Sequence, residues 1–356
     1  MRCRGSWRAD PGARIRDAAG RLSLLGSAGS AAVRGSPAGA LALTAAVWLA
    51  GCTSGSASQE VDAQTLLPCE SAEMVAVLDP ALMEVSGMAR DPRRPDLFWM
   101  HNDSGNETVL FAVDSLGRLL AAADVSGATD RDIEDLSIGR CGSEWCAYLG
   151  DIGDNLGRHR SVFIHRVPLP AVADVPGPEG TVERLEELTA TGSWEFVFPD
   201  GPRDAEGLLV DVERGELGIV SKGREGAVVL YGVRLADLEG EPGGVHSLTR
   251  IGRLSVPIGE HLTQMVTGAE LSPDRSWLAL RTYASLYLLR WSGVFEQDTL
   301  RAPLSVSLIG ALEPQGEGVA WSSDGETLWL SSEGRGGRPP QLSRIRCPAS
   351  SRQVRD

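Results

Sequence analysis

The sequence is short of the residues that most hydrolases use. No G-x-S-x-G elbow occurs, no two cysteines are spaced as C-x-x-C, and the five histidines (101, 159, 165, 246 and 261) follow no triad or metal-ligand spacing. Those absences argue against a serine-nucleophile enzyme and against a structural zinc site. His101, just ahead of Asn102, is the best acid–base candidate, with a packed core histidine as its plainer reading. Positive charge is also scarce. From Cys52 onward the chain carries 27 basic against 46 acidic residues, a balance that excludes a nucleic-acid partner and suits solubility, divalent cations or cationic partners. Finally, no apolar run is long enough to span a bilayer; the longest, at 38–50, has the length of a signal-peptide core.

That run follows Arg34 and ends in Leu49-Ala50-Gly51-Cys52. The ending looks like the lipobox of bacterial lipoproteins, in which small residues fit the peptidase and the thiol takes the lipid. An ordinary secretory signal is the alternative. The expected organisation is a leader and signal peptide over 1–51, with translation starting near Val33, and a small, polar tether over 52–68. A body follows over 69–347, then a tail over 348–356. Lipid on Cys52 would hold the protein to the bacterial cell envelope on its extracytoplasmic side, with acylation of the new amino terminus adding the further chain that stable anchoring needs.

Export makes disulfides possible, and four of the six cysteines remain for the body. Four allow three pairings. Cys141 and Cys146 flank the short turn GSEW and are placed to clip a hairpin, while Cys69 and Cys347 lie just outside the first and last strands of a repeat array. The favoured pairing is therefore Cys69 with Cys347 and Cys141 with Cys146.

The array has five units. Each opens on a short apolar strand: EVSGMARD (84–91), DIEDLSIG (132–139), DAEGLLVD (204–211), MVTGAELS (265–272) and QGEGVAWS (315–322). A second strand follows in each and ends on a charge, namely Asp103, Asp151, Lys222, Arg281 and Glu333. A third strand comes next, and hairpin turns such as SPDRS and SSDGE separate the first from the second. With Gly87, Asp135, Gly207, Gly268 and Gly318 aligned, the units recur at roughly 50–70 residues, near a four-stranded blade length. Fourth strands fit at LLAAADVS, GSWEFVFP, LTRIGRLSV and PLSVSLIG. The fifth blade lacks its own, and residues 74–79 (MVAVLD) supply one from the amino-terminal side. The fold class expected is thus all-β, a β-propeller of five blades closed by an N-terminal strand. A β-sandwich is the competing architecture. Six blades would need an irregular blade within 168–200, where TVERLEEL (181–188) reads as a helical insertion.

One residue before each aligned position stand Ser86, Glu134, Glu206, Thr267 and Glu317, all oxygen donors. Three before it stand Glu84, Asp132, Asp204, Met265 and Gln315. In a propeller the first strand of each blade lines the central channel, so these carboxylates converge and repel unless a cation joins them or some are protonated. Calcium is the economical cation, since it accepts several oxygens at flexible geometry. Asp151 and Asp154, in the run GDIGDN, offer further metal ligands, and Lys222 and Arg281 offer a seat for a small anionic group.

The set Ser86, Glu134, Glu206, Thr267 and Glu317 resembles the central calcium site of the apyrase or calcium-activated nucleotidase family, and Asn102-Asp103-Ser104-Gly105 is similar to an acidic turn of that family. The similarity lies in short motifs spread over 84–335. EVSGMA and DAEGLLVD also look like stretches of the phytase-like esterase and SdiA-regulated propellers. These resemblances imply a calcium-associated propeller. Two functions follow as expectations: a membrane-anchored binding or scaffold module for an unknown protein or small anionic ligand, or a metal-dependent hydrolase of phosphate or carboxylic esters, with Asp103, Glu134 or Asp151 activating a metal-bound water.

Overall fold

The computed structural model describes residues 69–348, apart from 104–106, 130, 173–180, 239–243, 257–261 and 297–303. The expected signal peptide, Cys52, the expected tether and the tail beyond Pro348 lie outside the described residues, as do Ser104 and Gly105.

Five small antiparallel sheets form a ring, a five-bladed β-propeller. Blade 1 runs outward through Val85–Arg90, Leu97–Asn102, Val109–Asp114 and Leu119–Ser126. Blade 2 is Ile133–Cys141, Glu144–Asp151, Val162–Pro168 and Gly192–Val197. Blade 3 is Ala205–Asp211, Glu216–Ser221, Val229–Arg234 and Thr249–Arg253. Blade 4 is Val266–Leu271, Trp277–Thr282, Ser285–Arg290 and Leu304–Ser307. Blade 5 is Gln315–Trp321, Thr327–Glu333, Gln341–Arg346 and, from the other end of the chain, Glu73–Val77. That N-terminal strand pairs antiparallel with Gln341–Arg346, from Glu73 opposite Arg344 to Val77 opposite Gln341. It closes the ring as the strand pattern requires, and the disulfide Cys69–Cys347 seals the same seam. Cys141–Cys146 clips the blade 2 hairpin.

Strand alternation sends successive side chains to opposite neighbours, so each gap between blades is filled from both sides. Five apolar clusters result, one per gap. Trp99 and Leu149 meet between blades 1 and 2, Phe196 and Tyr231 between 2 and 3, and Leu230 and Trp291 between 3 and 4. Trp277 and Trp321 meet between 4 and 5, and Met88 and Trp329 between 5 and 1. The tryptophans are packing residues, as expected of strand positions in a propeller; only Trp194 is left partly open among the four candidates, Trp99, Trp194, Trp321 and Trp329.

The helical expectation for 181–188 is overturned. Glu183–Arg184 and Leu188–Thr189 are two-residue strands that add parallel to Leu119–Ser126, with the Leu185 amide donating to Ala122 O at 3.0 Å. The outer edge of blade 1 offers unpaired backbone groups, and satisfying them outweighs a weak local helix preference.

The aligned positions have a common structural cause. In every blade the ladder between first and second strands skips at the same place: between Val85 and Met88, Ile133 and Asp135, Ala205 and Gly207, Val266 and Gly268, and Gly316 and Val319. Each is an irregularity of the β-bulge type, which re-aims the extra residue. Just below, the inner strands crowd together at the axis. A Cβ on Gly87 would lie 2.9 Å from the Asp135 Cα, and one on Gly318 would lie 2.9 Å from the Met88 nitrogen. At Gly87 and Gly318 glycine is required, because a Cβ there would run into the backbone of the neighbouring blade.

Candidate functional site

The bulged residues are Ser86, Glu134, Glu206, Thr267 and Glu317, the ring read from the sequence. Four of them line a cavity of about 150 Å³ at the mouth above the waist, together with Asp103, Lys222, Gln315 and Glu333. Thr267 is buried beside it and donates to Glu317 O at 3.0 Å. Ser86 makes the equivalent link from blade 1 to Glu134 O at 2.7 Å. Two triads of carboxylates share Glu134, one with Asp103 and Asp132 and one with Asp204 and Glu206, and in each triad an oxygen from every residue lies within 4.8 Å of the others. Oxygens that ligate one calcium at 2.3–2.6 Å can be at most about 5 Å apart, so each triad by itself meets the spacing of one hard ion.

The charges at this mouth do not balance. Five acids (Asp103, Glu134, Glu206, Glu317 and Glu333) line the cavity against two cations, Lys222 and Arg224, of which Lys222 Nζ pairs with Glu206 Oε1 and Arg224 Nε with Asp204 Oδ2. Glu134 is pushed well above the usual carboxylate range, by burial first and then by the charge of Asp103, with Lys222 opposing. Burial, with Glu333 adding, lifts Glu317 to about 8 against the pull of its Gln315 hydrogen bond, and burial with Asp103 lifts Glu333 to about 7. Each raised value expresses the cost of placing another negative charge in a nearly dry cup. A divalent cation or bound protons would relieve it.

Several residues singled out from the sequence do other work. Asp151 is fully buried, its Oδ1 accepting from the Asp132 amide at 3.0 Å and its Oδ2 from Thr129 Oγ1 and Arg131 Nε at 3.0 and 3.1 Å. Asp154 accepts from the amides of Arg158 and His159, both at 2.7 Å. These two acids therefore hold the segments on either side of the GDIGDN run, around 129–132 and 158–159, and neither joins the two triads. Arg281 is also sealed from any ligand. Its Nη1 donates to Gly318 O and Ser331 O at 2.6 and 2.8 Å, and its Nη2 pairs with Glu313. It locks blade 4 to blade 5. His101 is 1 % exposed, bonded through Nδ1 to Asn102 O at 2.8 Å, and pushed down to about 4 by burial. It is a neutral packed histidine, the plainer of the two readings.

The sequence reading missed Arg224 and Tyr283, which line the cavity with the acids. A positional signal was present. Arg224, Tyr283 and Arg335 each stand two residues beyond the charge that ends the second strand (Lys222, Arg281 and Glu333), at the start of the turn that crosses the mouth. In blade 2 that position is Gly153, where a Cβ would lie 2.5 Å from the Asp132 carboxyl.

The chain matches no family model and no curated protein.

Proposed function

We propose that the protein is a lipid-anchored, extracytoplasmic propeller whose acidic mouth holds a divalent cation, calcium first, and binds a small anionic ligand or a partner there. The observation that supports this most directly is the repeated bulge: five blades skip register at an oxygen-bearing residue, four of these residues line one cavity, and the two carboxylate triads share Glu134. When bound, the ion would supply positive charge at the floor of the mouth. Glu134 would hold it together with either Asp103 and Asp132 or Asp204 and Glu206. The likeness to calcium-activated nucleotidases extends to this ring of donors and supports the ion more than it supports nucleotide hydrolysis.

The body's connection to the anchor adds a direction. Glu73–Val77 runs toward the acidic mouth, so Cys69 lies at the opposite face, next to Cys347 and the 322–326 turn. A tether from Cys52 would therefore enter the body at Cys69, on the face away from the mouth.

The test is thermal unfolding with calcium and with EDTA, since a ligand of the native state raises stability by mass action. We expect calcium to raise the melting temperature and the double variant Glu206→Gln, Glu317→Gln to lose that response. A melting curve indifferent to both additives would refute the ion. Mass spectrometry that found a mature terminus other than a lipidated Cys52 would refute the anchor. The hydrolytic reading is separated by turnover: calcium-loaded protein is assayed on nucleoside diphosphates, phytate and a chromogenic ester, and hydrolysis of any of them would replace the binding role with an enzymatic one.

A further inference from the structure

Beside the acidic cavity lies a second, outer chamber of about 510 Å³ that shares Arg224, Tyr283 and Gln315 with it and adds Met265, Glu313, Pro314 and Arg335. A volume of this size takes a small molecule of metabolite dimensions. Its polar groups are of both signs. Among the described residues the exposed Arg335 makes no ion pair, and Arg224 engages Asp204 and Asn155 through Nε and Nη2 with no hydrogen bond from Nη1. On the opposite account stands Glu313. Its side chain is only 5 % exposed; Oε2 pairs with Arg281, but Oε1 is buried with no hydrogen-bond partner among the described residues. A buried carboxylate oxygen without a donor is a costly feature, and here it lies in a chamber wall. Between the two signs, Met265, Pro314 and the Tyr283 ring give an apolar surface.

We infer that the outer chamber binds a small zwitterion with an apolar side chain, a free amino acid or the end of a short peptide. The ligand's carboxylate meets Arg335 and the Arg224 Nη1, its ammonium takes Glu313 Oε1 once that sealed oxygen turns into the chamber, and its side chain lies on Met265, Pro314 and Tyr283. An arginine pair suits a planar carboxylate in a way a lysine would not. A purely anionic ligand would leave Glu313 Oε1 without its donor, and a purely cationic one would leave Arg335 and the Arg224 Nη1 without an acceptor. The inference deepens the proposed ligand-binding role of this mouth and rests on that role, but it does not require the ion.

The test is isothermal titration of the full-length protein in detergent with L-phenylalanine, 3-phenylpropionate and phenethylamine, which share one carbon skeleton and differ in the charged ends. Calcium is titrated in parallel. Hydrogen bonds to charged groups set the scale at about tenfold for each missing end. We expect L-phenylalanine to bind at least about tenfold tighter than either single-ended probe. Arg335→Gln, an exposed change, should remove most of that preference over phenethylamine while calcium binding stays as in the parent. Glu313→Gln should remove the preference over 3-phenylpropionate, with its fold checked by circular dichroism because Arg281 loses its partner. Equal binding of the three probes would overturn the inference, and so would no saturable heat from any of them in protein that binds calcium. Selective binding of L-phenylalanine by protein that does not take up calcium would uphold the inference and remove the ion from the proposed function.

Discussion

The two disulfides make opposite demands on the unfolded chain, and that difference can be measured. Cys69–Cys347 spans 278 residues and Cys141–Cys146 only 5. Loop-closure entropy puts the stabilisation from the long loop at about 5–6 kcal/mol and that from the short one at about 2 kcal/mol. Replacing both cysteines of a pair by serine keeps the strand pairing: Glu73–Val77 still has its ladder with Gln341–Arg346, and the blade 2 hairpin still has its own. The loss should therefore come mainly from the unfolded state. Guanidinium unfolding of the oxidised parent and the two double variants checks it. The Cys69→Ser, Cys347→Ser protein should lose about 3 kcal/mol more than the Cys141→Ser, Cys146→Ser protein, and its m value should rise because the unfolded chain is no longer held in a loop. Equal losses, or a larger loss from the hairpin pair, would refute the entropic argument and place the value of these bridges in native packing instead.

Glu270 is lifted to about 8 by burial, against the Trp321 and Arg90 amides and the Arg90 charge. The folded state then keeps a proton that the unfolded chain releases near 4.5, so this group's contribution is full below that value and declines as pH rises to about 8. Urea midpoints at pH 5 and pH 8 should differ less in Glu270→Gln than in the parent; an unchanged difference would be evidence against the shift. Lys222→Met should tighten calcium binding by at least about tenfold, because an ammonium beside Glu206 repels a divalent ion by several kcal/mol even at an effective dielectric near 20. Calorimetry that finds weaker binding would mean the lysine helps hold the site. Asp135→Ala leaves the Leu208 and Ala269 amides without their acceptor at the waist and should cost about 3 kcal/mol or more, read as a fall in the denaturation midpoint.

The ring of blades was legible in the sequence because its signals are local and repeated. Period-two apolar strands, turns such as 322–326 and an even cysteine count each carry their own physics, and the Met74 segment had to pair because the fifth unit lacked a fourth strand. The ring of oxygen donors was legible for the same reason: five blades repeat it. What the sequence did not disclose depends on contacts between blades. Arg281 and Lys222 occupy equivalent strand ends, yet one is buried against Glu313 and the backbone of blade 5 while the other stands among the acids. No local pattern separates them. Asp151 and Asp154 have the spacing of metal ligands, and only the fold shows that backbone amides already occupy them. The 181–188 segment went wrong because its partner, the edge of blade 1, lies some sixty residues upstream.

Asp135 explains why the chemistry collects at one mouth. Four of the five aligned waist positions are glycine, and the fifth is this aspartate, whose carboxylate fills the axis that the glycines leave. Its Oδ1 accepts from the Leu136 amide at 2.9 Å, and its Oδ2 reaches the Leu208 amide of blade 3 at 2.9 Å and the Ala269 amide of blade 4 at 3.3 Å. Lower down, Glu270 of blade 4 takes the Trp321 amide of blade 5 and the Arg90 amide of blade 1. Between them the two buried acids bond backbone from all five blades. A channel crossed in this way is a pair of cups with a common floor, and ligands cannot pass through it. The upper cup holds the charge imbalance, the Tyr283 hydroxyl and the outer chamber. In the lower cup, Arg275 is paired with Asp211 and Glu213, and Arg90 donates to the carbonyls of Trp321 and Asp91. A ligand that needs uncompensated charge therefore has one face to approach, and it is the face turned away from Cys69.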